Sequence, residues 1–142
     1  MRILVAVFIL LGALVSSGAS AELVVIAHPG SQVLSLDRAQ LINIYLGRYR
    51  QLPTGEAALP ADLAPLKARF YRALVNKDLA EINSYWARLV FSGQQPPPVQ
   101  LPSSAAVLEY VRRHPGALGF IDEVDAPADL KVVARLPEAT QR

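Results

Sequence analysis

The sequence predicts an α/β domain in which a mixed sheet is flanked by helices, and three observations support this. Leu23–Ala27 is a short, continuously apolar and largely β-branched run, which is typical of a strand buried on both faces. Several amphipathic helical repeats separate this run from two later strand-like segments. Residues 22–142 have the length of one domain and contain no internal repeat. We therefore expect a single three-layer domain, with helices on both faces of its sheet.

The N-terminal segment, residues 1–21, has the pattern of a secretory signal peptide. Arg2 gives a short positive start, Ile3–Val15 is apolar, and the small residues of Ala19–Ala21 fit a cleavage site. The apolar run is shorter than the roughly 20 residues that cross a bilayer. We therefore expect residues 1–21 to be removed, no membrane span to remain, and the domain of residues 22–142 to lie in the periplasm.

The composition excludes several classes of protein. The chain has no cysteine, so disulfides and a lipid-modified N-terminal cysteine are excluded, and the core must hold without covalent links. Its 14 basic and 12 acidic side chains nearly balance, so no nucleic-acid-binding face is predicted. Basic residues interspersed with apolar positions form either solvated helix faces or an anion-attracting cleft. These residues are Arg48, Arg50, Lys67, Arg69, Arg72, Arg112 and Arg113.

The first predicted helix begins after Asp37, which can cap it, and ends at Gly47, where a left-handed residue is needed. Its apolar side chains fall on one face. They are Leu41, Ile42, Tyr45 and Leu46. Residues 48–61 are predicted to be a loop, because they contain two prolines and a glycine, with a brief edge strand at 57–59.

Two more amphipathic helices are predicted in the middle of the chain. The first covers Pro65–Val75, with the proline in its first turn. The second begins after Asp78, which stands at capping-box spacing from Glu81, and ends at Gly93. Its predicted buried stripe is Leu79, Ile82, Trp86, Leu89 and Val90. The proline-rich segment Gln94–Pro98 is then expected to be a stiff, extended crossover.

A last helix is stopped by Pro115, and Gly116 gives the backbone freedom to reverse. The chain then enters the sheet as a strand over Leu118–Ile121. Within this strand Gly119 has no side chain, which predicts that a helix or another backbone passes close above it. Lys131–Leu136 is predicted to form the final strand.

The sequence contains no recognisable catalytic or metal-binding group. Its two histidines, His28 and His114, lie far apart, and neither has a second imidazole or a thiol at ligand spacing. The carboxylates have the pattern of solvated surface groups, and no acid, base and nucleophile converge in the sequence. We therefore predict a protein that is not an enzyme and that needs no metal or cofactor.

Two places are candidates for binding a small anion through backbone amides and cationic side chains. The segment Gly30, Ser31 and Gln32 follows the first strand, and Lys67 and Arg69 stand at the start of the second helix. Ordinary capping and surface charge are the alternative explanation at either place. At the helix start, a carboxylate only five residues before Lys67 competes for the same amides.

Three short motifs carry a resemblance to a known family. They are Ile44–Gly47, Trp86 followed by Phe91–Gly93, and Pro115–Phe120. In this order they resemble the small phosphate ABC transporter substrate-binding-protein-like family, which has a PBP-like domain of the type 2 periplasmic binding protein superfamily. The resemblance covers nearly all of residues 22–142. It implies part of a two-lobed receptor fold, phosphate or a similar small oxyanion as ligand, and a permease or sensor as partner.

The sequence departs from that family at the main oxyanion loop. In the family that these motifs resemble, the phosphate receptors carry a Ser-Gly-Thr loop shortly before the phenylalanine that matches Phe70. The corresponding segment here, Asp62–Arg69, contains no such loop. Two hypotheses remain open. The protein binds an oxyanion with amides near Gly30 and Ser31 and with Lys67 or Arg69 as counter-charge, or it is a non-catalytic accessory domain that has lost its ligand and binds another envelope protein.

Overall fold

The structure, a computed structural model, describes residues 22–137. The signal peptide predicted for residues 1–21 lies outside the described residues. The strands are β1 Leu23–Ala27, β2 Leu59–Leu63, β3 Val99–Leu101, β4 Ala117–Asp122 and β5 Lys131–Leu136. The α-helices are α1 Arg38–Tyr45, α2 Lys67–Val75, α3 Leu79–Phe91 and α4 Ser104–Arg113. Single 3₁₀ turns cover Ala64–Leu66 and Glu123–Asp125.

The five strands form one mixed sheet in the order β3-β2-β4-β1-β5. β2 is parallel to both β3 and β4, whereas β1 is antiparallel to both β4 and β5. All five residues of β1 are buried, which explains why its sequence is apolar without alternation. The predicted α/β fold with a mixed sheet is confirmed.

Helices cover both faces of the sheet, as two consecutive residues of β4 show. Gly119 and Phe120 must point to opposite faces because side chains alternate along a strand. On one face, a Cβ built on Gly119 would lie 2.4 Å from Cγ1 of Val107 in α4. On the other face, the ring of Phe120 stacks on Phe70 of α2 with 3.8 Å between centroids. The close approach predicted above Gly119 is therefore confirmed, and the domain has three layers.

The ends of the helices follow from local sequence. Asp37 accepts a hydrogen bond from the Gln40 amide, and the Gln40 side chain accepts one from the Asp37 amide, which makes a complete capping box at α1. Gly47 has the left-handed φ of 74° that ends this helix. Asp78 caps α3 by accepting from the Glu81 amide at 2.9 Å. These predicted boundaries are confirmed because each depends on neighbours within one turn.

The loop predicted for residues 48–61 is wrong at its end, where β2 begins. β2 is an internal strand despite Pro60, and the direction of the backbone amides explains how. The Leu59 N–H donates to the Gly116 carbonyl of the β4 side, so the nitrogen of Pro60 faces the opposite side. There β3 pairs with β2 only from Ala61 onward, so the proline removes no hydrogen bond from the sheet.

The predicted buried stripe of α3 is wrong at one position. Ile82 and Trp86 are buried as expected, whereas the side chain of Val90 is 53% exposed and that of Phe91 is 96% exposed. At 100° per residue, Val90 lies about 80° round the helix from Ile82, at the margin of the apolar face. The end of α3 therefore presents apolar side chains to the surface.

Gly116 is needed for a reason that its sequence position did not show. Its φ is not positive, unlike that of Gly47, so the predicted freedom to reverse is not what the backbone uses here. A Cβ built on Gly116 would lie 1.9 Å from the carbonyl oxygen of Ala57. The absence of a side chain lets the chain leading into β2 approach the chain leading into β4.

We predict that Gly116→Ala lowers the free energy of unfolding by about 1–3 kcal/mol or more, because a methyl group would collide with a backbone atom that only a shift of the strand can move. Urea denaturation measures this change. Gly30→Ala is the control, since Gly30 is exposed and its Cβ would meet only the half-buried His28 side chain, at 3.2 Å. Equal stability of the two variants would contradict the close approach.

Candidate functional site

The candidate site lies at the edge of the sheet where the parallel strands end. β2, β3 and β4 run in the same direction, so their last residues, Leu63, Leu101 and Asp122, reach the same edge. The chain then enters α2 after β2 and α4 after β3. In open α/β sheets, ligands bind in the crevice outside the carboxyl ends of the strands. We call this edge, with Asp62, Lys67, Arg69, Gln100 and Asp122, the carboxyl edge.

A buried carboxylate stands at the centre of the carboxyl edge. Asp62 has no exposed surface. One of its carboxylate oxygens accepts a hydrogen bond from the Tyr71 hydroxyl at 2.9 Å, and the other accepts one from Nε2 of Gln100 at 2.8 Å. The ammonium group of Lys67 lies 3.8 Å from it. The residue therefore joins β2 to β3 and to the first two turns of α2.

Burial dominates the electrostatics of this carboxylate. It raises the pKa of Asp62, although the hydrogen bonds from Gln100 and Tyr71 and the charge of Lys67 oppose the shift. Burial also raises the pKa of the Tyr71 hydroxyl, and the adjacent Asp62 raises it further. Tyr71 therefore stays protonated and donates to Asp62 over the whole physiological range.

The second ion pair of the carboxyl edge is more open to solvent. Nη1 of Arg69 donates to Asp122 at 2.9 Å, with 28% and 25% of the two side chains exposed. The Lys67 side chain is less accessible, at 17%. Among residues 22–137, Lys67, Arg69 and Asp122 thus form a partly accessible polar surface with N–H donors, and Asp62 lies buried beneath it.

The predicted anion-binding residues fall into two separate groups. β1 is antiparallel to β4 and ends at Ala27, opposite Leu118 near the start of β4. The segment Gly30–Gln32, which follows β1, is therefore at the opposite edge of the sheet from Asp122. The structure brings Lys67 and Arg69 together at the carboxyl edge, and it does not bring them near Gly30–Gln32.

The turn at Gly30–Gln32 is stabilised by its own hydrogen bonds. The Gly30 amide donates to Nδ1 of His28 and the Ser31 amide to the His28 carbonyl, both at 2.9 Å. The Ser31 hydroxyl accepts from the Val33 amide at 3.2 Å, and Lys131 donates to the Ser31 carbonyl. Ligand binding by Gly30, Ser31 and Gln32 stays a prediction, and it would require the amides of Gly30 and Ser31 to exchange their acceptors.

Residues 22–137 contain neither a cluster of metal ligands nor a helix that could cross a membrane. No group of three histidine, aspartate or glutamate side chains in this range is arranged to hold a metal ion. No helix in the same range is long and apolar enough to cross a membrane.

Sequence analysis missed the central position of Asp62 and the roles of Tyr71 and Gln100. The available signal was a single charged residue in the otherwise apolar stretch Leu59–Leu66. A lone carboxylate in an apolar run indicates a buried, hydrogen-bonded group. Its partners were not predictable, because Gln100 is 38 residues away along the chain.

The fold is similar to that of solved solute receptors. One is a protein from Clostridium perfringens described as a phosphate ABC transporter substrate-binding protein with bound phosphate, with a TM-score of 0.62, 14% identity, and coverage of 80% of this chain and 45% of that chain. Another is an ABC-type phosphate transport receptor from Vibrio cholerae, with a TM-score of 0.54, 16% identity, and coverage of 80% and 46%. No family model and no curated protein matches the sequence.

These likenesses establish the fold alone. The chain has a PBP-like α/β fold, the class predicted from its motifs, and it spans about half the length of the receptors that it matches.

We predict that Asp62→Asn changes how stability depends on pH. Because burial raises the pKa of folded Asp62, its contribution to stability is full at low pH and is lost as the pH rises above about 4 through the raised pKa. The variant lacks this titration. The free energy of unfolding of the wild type minus that of Asp62→Asn should therefore fall as the pH rises above about 4 in urea denaturation.

Asp129→Asn is the matched control for this measurement. Its hydrogen bonds from Arg112 lower the pKa of exposed Asp129, so its contribution is present at neutral pH and is lost as the pH falls. The corresponding difference should rise with pH. If the difference for Asp62→Asn also rose with pH, the proposed burial penalty at Asp62 would be wrong.

Proposed function

We propose that this protein is a solute-binding module of the periplasm that binds phosphate or a similar small oxyanion at the carboxyl edge, for transport or sensing. The observation that carries the proposal is the position of Lys67 and Arg69. Both cations stand at the carboxyl ends of parallel strands, in a fold shared with a protein that has phosphate bound. A permease or a sensor of the cell envelope is the proposed partner.

The chemistry of the edge suits a protonated oxyanion. Lys67 and Arg69 supply charged N–H donors, which make the strongest hydrogen bonds to phosphate oxygens. Asp122 is a partly exposed carboxylate beside Arg69 and accepts hydrogen bonds. Hydrogen phosphate carries an O–H that can donate to such an acceptor, whereas sulfate at neutral pH carries none. The edge should therefore favour phosphate over sulfate.

We predict that isothermal titration calorimetry detects phosphate binding and that Arg69→Gln weakens it about tenfold or more, because a charge-assisted hydrogen bond is lost. Lys67→Gln should act in the same direction. Arg112→Gln is the matched control, since Arg112 also pairs with an aspartate but lies on α4, away from the carboxyl edge. Circular dichroism verifies that each variant is folded.

Three outcomes of this titration would change the conclusion. The absence of heat with millimolar phosphate, sulfate and small carboxylates would remove the oxyanion function. Equal weakening by Arg112→Gln would show a general effect of charge. Weakening by Ser31→Ala or Gln32→Ala, with Lys67→Gln and Arg69→Gln unaffected, would move the site to the turn after β1.

A second candidate function is supported by the ion pairs themselves. Each cation of the edge already has a carboxylate partner, Asp62 for Lys67 and Asp122 for Arg69, so the edge offers no excess positive charge to an anion. This arrangement favours an accessory domain that has kept the fold and binds another envelope protein in place of a solute. Cross-linking to a permease or sensor, together with a silent phosphate titration, would support this function. A monomer that binds phosphate and forms no cross-link would contradict it.

A further inference from the structure

A surface groove runs between the outer face of α3 and the turn after α1. Its deeper part has a volume of about 410 Å³ and is lined on the α1 side by Leu46 and Arg48. Ala80 and Ser84 are among the α3 residues that line it. A shallower part of about 270 Å³ shares Tyr85 and Arg88 with the first and continues to Gln94. The two parts form one channel along the helix, which we call the α3 groove.

The α3 groove is held open by contacts beneath it. The Tyr85 hydroxyl donates to the Leu46 carbonyl at 2.6 Å and so connects α3 to the turn. Gly47 packs so closely on Trp86 that a Cβ there would lie 2.8 Å from the indole ring. Ile82 is fully buried under the same turn of α3. The walls are therefore preorganised, which lowers the cost of binding.

The charges that line the groove are predominantly positive. Arg48, Lys77 and Arg88 stand against a single carboxylate, Glu81, which pairs with Lys77 at 3.3 Å. Within residues 22–137, no carboxylate pairs with Arg48 or Arg88, and Arg48 has only a 3.4 Å contact to the Asn43 amide oxygen. Two cations of this groove are thus available to an anionic partner.

The shape of the groove decides between kinds of anionic partner. From Leu79 to Phe91, α3 runs beside the channel for about 18 Å, at 1.5 Å per residue. An extended peptide of about six residues, at 3.3 Å each, has this length. Small residues such as Ala80 and Ser84 leave space for a peptide backbone. A flat membrane surface does not enter a concave channel, and a single phosphate ion would fill only a part of it.

We propose that the α3 groove binds an extended acidic segment of a partner protein, with acidic side chains that reach Arg48 and Arg88. The groove shares no residue with the carboxyl edge, so this proposal and the proposed oxyanion function stand or fail independently. Apolar contacts with Leu46 and Tyr85 supply the remaining surface.

Fluorescence anisotropy on the protein produced from the full chain tests this proposal. The probe is a labelled peptide of about six residues with glutamates near both ends, and the control peptide has glutamine at every glutamate. We expect saturable binding of the acidic peptide that weakens with added salt. Arg48→Gln with Arg88→Gln should weaken it about tenfold. Arg113→Gln, an exposed arginine on α4 on the other face of the sheet, should leave it unchanged.

Each remaining outcome of this experiment overturns the proposal. Absence of binding, or equal binding of the glutamine peptide, would remove the acidic partner. Equal loss with Arg113→Gln would remove the groove as its site. Displacement of the peptide by millimolar phosphate would indicate a small-anion site. Sedimentation with anionic phospholipid vesicles that is lost in the Arg48 and Arg88 variant would indicate a membrane surface.

Discussion

The buried carboxylate of Asp62 is the constraint on which the carboxyl edge depends. A carboxylate without exposed surface is stable only when its oxygens are hydrogen-bonded, and here the donors come from two other elements, β3 and α2. Gln100 fixes the short strand β3 beside β2, while Tyr71 and Lys67 fix the start of α2. One charged residue thus sets the relative positions of two strands and a helix.

The covering of both sheet faces determines where the protein can meet other molecules. α4 packs over Gly119, and Phe70 stacks on Phe120 on the other face, so neither face of the central strands is accessible. Binding surfaces therefore lie at the ends of the strands, along the outer edges of β3 and β5, or on the outsides of the helices. The carboxyl edge and the α3 groove are surfaces of the first and the third kind, and their charges differ. The edge pairs its cations internally, whereas the groove leaves Arg48 and Arg88 open.

Only two residues of the carboxyl edge were named as binding residues from sequence, and the geometry of the edge was not predicted. Lys67 and Arg69 were predicted from their position at a helix start, and they do lie at the edge where parallel strands end. Their predicted association with Gly30–Gln32 fails because β1 is antiparallel to β4, so its end lies at the opposite edge. Strand direction results from pairing between distant segments, and local patterns carry little information about it.

The sequence by itself determined the class of fold and most helix boundaries, because caps such as Asp37 and terminators such as Gly47 act within one turn, and apolar runs such as β1 report burial directly. Only the tertiary structure decided that a proline-containing segment lies inside the sheet, that Gly116 must admit the Ala57 carbonyl, and that Asp62 is buried. The physical reason is that each of these depends on atoms that are distant along the chain and meet only after the strands have paired and the helices have packed on the sheet.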